Sequence, residues 1–184
     1  LEQLMQGAWE QLADEGVSLV GGHTTEGAEL SVGFAVNGIA DESRLLKKSG
    51  MRPGQTLILT KPLGTGTLFA ADMQHQARGH WIEAALQVML QSNAAAGAIF
   101  AALSEQGTTT ASACTDITGF GLAGHLSEMI QASQVNVSLD LLSLPLLAGS
   151  LTCLQELQIT STLHAGNERS VKHIQPQAHP HYAM

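Results

Sequence analysis

Between residues 113 and 126 the chain reads "ACTDITGFGLAGHL", and Gly119, Gly121 and Gly124 stand where an extended run gives way to a helical period. Few stretches constrain a fold as tightly. Glycines spaced G-x-G-x-x-G let the backbone turn sharply and let the following helix pack closely against its neighbours. Asp116 sits just ahead of them. By position alone its carboxylate suits a metal ligand, a helix cap accepting a backbone N–H, or a part of a dinucleotide fingerprint.

The fingerprint is matched in some detail, because Asp140 lies 21 residues past Gly119 at the end of the next extended run, as in a βαβ unit. Two features oppose it. The strand before such a loop should be strongly apolar, whereas "TTTASACTD" is small and polar. Asp116 would also put a negative charge beside the pyrophosphate unless a cation lay between them.

Elsewhere the chain alternates two periods. Leu1, Leu4, Met5, Ala8 and Leu12 recur at helical spacing, and Gly16 closes that pattern where a left-handed residue is needed. A helix starting uncapped at residue 1 reads as cut from something longer. A long helix is predicted from Trp81 to about Leu103 and another from about Thr118 to Ala132. "VSLVGG" (17–22), "LSVGFAVNGIA" (30–40), "TLILT" (56–60), the run near "ASACTDI" and "VNVSLDLL" (135–142) read as strands. Strands alternating with helices predict an α+β (α/β layered) fold, a mixed β-sheet packed by helices.

The 16 acidic and 8 basic residues leave a formal charge of -8, which argues against a nucleic-acid partner. Cys114 and Cys153 form no CxxC pair, so neither a disulfide framework nor structural zinc is supported, and a cytoplasmic setting follows. "LDLLSLPLLAGSL" is short and broken by Pro145, so no membrane span is expected.

Other residues carry double readings. Gly21 and Gly22 end an apolar run, so that the backbone there could approach a ligand and His23 could hydrogen-bond it; a plain turn is the simpler use. Lys61 could meet phosphate but lacks a GxxxxGK[ST] loop, and a locally paired lysine is the default. His179 and His181 lie in a polar stretch without an apolar face, where nothing orders them as ligands.

Three segments, "LVGGHTTEGAELSVGFAVNGIA" (19–40), "SGMRPGQTLILTKPLGTG" (49–66) and "CTDITGFGLAGHLSEM" (114–129), together resemble the selenophosphate synthetase (selenide, water dikinase) family in order and spacing. The last separates it from aminoimidazole ribonucleotide synthetase within the wider fold group. The resemblance implies an ATP-dependent dikinase that turns selenide and water into selenophosphate, with Mg2+, working as a homodimer. It implies that Asp116 is a magnesium ligand and that Gly21, Gly22 and His23 meet ATP across the dimer.

On the same basis residues 1–42 would end an N-terminal ATP-binding domain. Residues 43–163 would form part of an α/β domain like the aminoimidazole ribonucleotide synthetase C-terminal domain, incomplete, and 164–184 a polar tail. The family's reactive cysteine or selenocysteine, its lysine and its other metal-binding aspartates match nothing in this sequence, so no catalytic residue is assigned and the chain alone is expected to be inactive. Cys114 does not match the nucleophile and reads as a buried structural residue. The alternatives are a related ATP-dependent enzyme with another substrate, a noncatalytic dinucleotide-binding module, and a dimerisation domain.

Overall fold

The structure, a computed structural model, describes residues 1–42, 45–105 and 111–169. The backbone groups into two compact units, Leu1–Ser43 and Arg44–Met184.

The first unit holds one helix, α1 (Glu2–Asp14). Its end is built as the sequence predicts: Gly16 adopts a left-handed φ of +67°, Gly16 N–H donates to Ala13 and Val17 N–H to Leu12. Those two bonds make a Schellman closure, and they satisfy carbonyls that the helix itself leaves open. Residues 17–40 form neither helix nor strand, with Val20, Val36 and Ile39 open to solvent.

In the second unit the described elements are α2 (Thr65–Met73), α3 (Gly79–Leu90), α4 (Ala94–Glu105), α5 (Gly121–Ser133), α6 (Ser150–Gln155) and α7 (His164–Asn167), with a 3-10 turn at Leu141–Ser143. The core lies between α2, α3 and α6: Leu68 and Ala71 of α2, Ala85 of α3 and Cys153 of α6 are fully enclosed, with Trp81, Leu147 and Ile159 around them. Burying a leucine such as Leu68 contributes about 1.5–3 kcal/mol. Two glycines make this close packing possible. Gly64 (φ +124°) begins α2 where a Cβ would collide with Ser150, and Gly149 (φ +87°) begins α6 where a Cβ would enter the Trp81 ring. Over that ring lies Arg78, whose guanidinium carbon is 5.1 Å from the centroid, a cation–π contact.

The expected α+β (α/β layered) architecture, a mixed β-sheet packed by helices, is not what forms. Among the described residues there are seven α-helices and no strand, and Leu63 pairs with Leu146 only as an isolated parallel bridge, held by Leu63 N–H to Pro145 and Leu147 N–H to Leu63, both 2.9 Å. Alternating β-branched residues favour an extended backbone, but the runs expected as strands form no strand among the described residues. A strand also needs a neighbour in register to take its N–H and C=O groups. Among the described residues these runs form no such ladder; Cys114 N–H makes an isolated bond to the Lys47 carbonyl at 3.0 Å.

The helix predicted from Trp81 to Leu103 is two helices, α3 and α4, bent by 46°. The break is polar. Ser92 Oγ accepts from Ala94 N–H at 3.0 Å, and Lys61 Nζ donates to the Gln91 carbonyl at the end of α3, so side chains replace two links of a continuous ladder. Lys61 is thereby a local helix-end partner. Among the described residues no single helix is long and apolar enough to cross a membrane, although α3 and α4 taken as a bent pair meet that test; Trp81 and Ala85 of α3 are packed into the core.

Both cysteines are free, and Cys114, expected to be buried, is exposed, whereas Cys153 is buried. The residue at 114 lies on a segment outside helix and strand, whereas Cys153 is enclosed in the core with α2 and α3. Burial pushes the Cys153 thiol above its ordinary pKa. Because the thiolate is the reactive form, dithionitrobenzoate should titrate one thiol rapidly at pH 8 and the second only after denaturation. Cys114→Ser should remove the fast phase.

Candidate functional site

The glycine segment makes a turn into α5. Gly121 N–H donates to the Thr118 carbonyl at 2.9 Å, and Gly121 takes a φ of +74°. Gly119 serves packing instead: a Cβ there would lie 2.5 Å from Leu163 Cδ1, and the Gly119 carbonyl accepts from Asn167 Nδ2 at 2.9 Å. Residues 161–167 therefore brace the turn from one side. They also reach the start of α2, where a Cβ on Gly66 would meet Ser161 Cβ at 3.1 Å.

Asp116 is exposed two residues before this turn. The helix cap is Phe120, with no side-chain hydrogen bond, so Asp116 does not cap α5. Its backbone carbonyl accepts from Thr115 Oγ1 at 3.2 Å, while the carboxylate has no partner among the described residues. Those residues contain no group of three or more His, Cys, Asp or Glu side chains poised around one point. Magnesium fits such a position as a shared ion: it typically takes one or two carboxylates and completes its shell with water and substrate phosphate oxygens.

The dinucleotide reading loses its acidic residue. Asp140 Oδ1 accepts from Leu142 N–H at 3.0 Å and caps the 3-10 turn, and no βαβ unit surrounds the glycines. Gly21, Gly22 and His23 lie in the first unit and are exposed, with open space where a Cβ on either glycine would sit. His179 and His181 lie outside the described residues.

His125 is a residue that the motif reading passed over. It shares the inward stripe of α5 with Leu122, Leu126 and Met129, and is itself 7% exposed. Its Nε2 is 3.2 Å from Thr118 N, whose N–H donates to it, and 3.0 Å from Thr118 Oγ1. An acceptor at Nε2 puts the ring proton on Nδ1 in the neutral form. That atom is buried without a hydrogen-bond partner, 3.9 Å from Glu128 Oε2. The available signal was a histidine on an otherwise apolar helical stripe.

Glu128 is in turn paired with Lys48, and the hydrogen bond and charge of Lys48 hold its carboxyl below the ordinary carboxylate pKa. A lowered carboxyl pKa stabilises the folded chain above the ordinary value, and that contribution disappears as pH falls through the lowered one. Further backbone bonds fix the segment that carries Lys48: Cys114 N–H donates to Lys47 O at 3.0 Å, and Gly50 and Met51 N–H donate to Ser133 Oγ, each at 3.1 Å. Beside α5 a shallow cleft of about 320 Å³ is lined by Phe120, His125, Glu128, Gln131 and Arg169.

Residues 161–167 thus touch two glycine-containing helix starts, and an exposed carboxylate without a hydrogen-bond partner among the described residues lies ahead of one of them. Residues 52–166 match the family described as AIR synthase related protein, C-terminal domain, and the chain belongs to that family. Within it, the similarity is to selenide, water dikinases. The protein of that name from Geobacter metallireducens is 36% identical over 176 residues, covering 96% of this chain and 48% of the relative. That from Myxococcus xanthus is 37% identical over 148 residues, covering 80% and 41%, and that from Nitratidesulfovibrio vulgaris (strain DSM 19637 / Miyazaki F) is 35% identical over 182 residues, covering 95% and 48%. The resemblance carried by the three segments holds. The chain spans about half the length of the curated relatives it matches.

Proposed function

We propose that the chain is a fragment of a selenide, water dikinase, an ATP-dependent phosphotransferase that forms selenophosphate from selenide, ATP and water, with residues 1–42 ending its N-terminal ATP-binding domain and residues 43–163 forming part of its C-terminal domain. The observation that carries this reading is the similarity to enzymes of that name along nearly the whole chain. The free carboxylate of Asp116 supports the metal part of it.

Transfer of a phosphoryl group needs positioned phosphates and neutralised oxygens more than covalent chemistry from the protein. Bound magnesium supplies that neutralisation. Asp116 would hold the ion from this chain, and the backbone N–H groups that open α5 would add partial positive charge toward the same anion. Gly21, Gly22 and His23 would meet the nucleotide as part of a homodimer, the two glycines offering bare backbone. Cytoplasmic residence belongs to the same reading. No residue here matches the family's nucleophile, so the chain alone should release no AMP from ATP and selenide.

The binding reading is tested on the 15N-labelled chain with Mn2+ and a nonhydrolysable ATP analogue. Paramagnetic broadening centred on the amides of residues 115–121 is the expected result. Broadening elsewhere, or NADH shifting the resonances around Gly121 and Asp140 more than the ATP analogue does, would instead favour a dinucleotide module.

A further inference from the structure

We propose that His125 is a positioning residue for Asp116, and this rests on the metal reading just given. This histidine does what an apolar residue could not. Its place on α5 belongs to the stripe of Leu122, Leu126 and Met129, and a leucine there would pack without leaving a buried ring nitrogen unpaired. What the imidazole adds is an acceptor at Nε2, one turn of helix beyond the glycines and aimed back at Thr118 N–H.

That bond spans the turn. Thr118 is two residues from Asp116, and its carbonyl closes the turn with Gly121; with its N–H and hydroxyl both held by His125, the backbone leaving Asp116 has few ways to move. Around the ring, Phe120 stands edge-on at 6.2 Å between centroids and the Glu128 carboxylate, tied to Lys48, faces Nδ1. Lys48, Glu128, His125 and Thr118 thus form a chain of contacts from the segment at 47–51 to the loop that carries Asp116. The carboxylate is left exposed while the backbone beneath it is fixed, which suits a ligand that must be held in place without being buried.

The test uses the full chain and two readouts, hydrogen exchange at the Thr118 amide and Mn2+ affinity in the presence of the ATP analogue. His125→Leu should speed exchange at Thr118 about tenfold and weaken Mn2+ binding about tenfold, the usual size of a supporting-residue effect. His125→Gln, whose amide oxygen reaches the place of Nε2, should restore both to within about threefold. His125→Asn, which ends near Nδ1, should not; it replaces the leucine variant if that one fails to fold.

Faster exchange at Thr118 with unchanged Mn2+ affinity would overturn the positioning role, as would failure of glutamine to restore the Thr118 bond. Asp116→Asn in the same titration separates the two ideas. If it too keeps wild-type affinity, the metal reading is what fails; if it loses affinity while the histidine variants do not, only the role of His125 falls.

Discussion

Asp116→Asn is expected to leave the fold intact while lowering Mn2+ affinity in the presence of ATP by about a hundredfold or more. Support for the second half comes from scale: altering groups that merely support a ligand costs about 10–100-fold in metal affinity, and Asp116 would be the ligand itself. The amide is isosteric but carries no charge, and a hard cation gains little from it. Support for the first half is its setting. The side chain is exposed and does not cap α5, and surface substitutions of that kind stay within about 0.5 kcal/mol. Isothermal titration with Mn2+ alongside thermal unfolding reads both quantities. A fall in stability with unchanged affinity would make Asp116 a structural residue and remove the main support for a metal-facing site.

The second large effect is on stability. Gly149→Ala should destabilise the folded chain by about 3 kcal/mol, the sum of a left-handed backbone penalty of about 1–2 kcal/mol and the overpacking of a filled core, about 1–3 kcal/mol. Both apply because Gly149 has a φ of +87° and its missing Cβ points into the Trp81 ring, which is buried and has Arg78 over it. At about 2–4 °C per kcal/mol for a chain of this size, the midpoint of thermal unfolding should fall by about 6–12 °C. Gly97→Ala supplies the contrast. That glycine is inside α4 with nothing within 4 Å of a built Cβ, so alanine there should stabilise by about 0.5–1 kcal/mol. If the two substitutions behave alike in circular dichroism melts, the packing of α6 against Trp81 is not as described.

How far the site was legible differs residue by residue. The turn at 118–121 was readable, because glycine spacing encodes backbone freedom and Gly121 uses it. The separate job of Gly119, closeness to Leu163, was not, since Leu163 is 44 positions away in sequence. Asp116 kept three roles open in the sequence because capping, ligation and fingerprint share the same local spacing. The structure removed the cap by putting Phe120 at that position, and removed the fingerprint by turning Asp140 into the cap of a 3-10 turn. Cys114 was misjudged for a related reason: residue type suggests burial, but exposure depends on what lies across from the segment.

Local signals determined where α1 ends, that helices run near 81–103 and 121–133, and, through three quoted segments, which family the chain resembles. Those are properties of a few adjacent residues: periodicity, a glycine tolerating positive φ, a motif in order. Tertiary structure alone decided that the long helix breaks at Ser92, that the runs rich in β-branched residues form no strand among the described residues, and that His125 reaches back to Thr118. Each depends on whether a distant partner is present at hydrogen-bonding distance, and a preference for a backbone conformation carries no information about that.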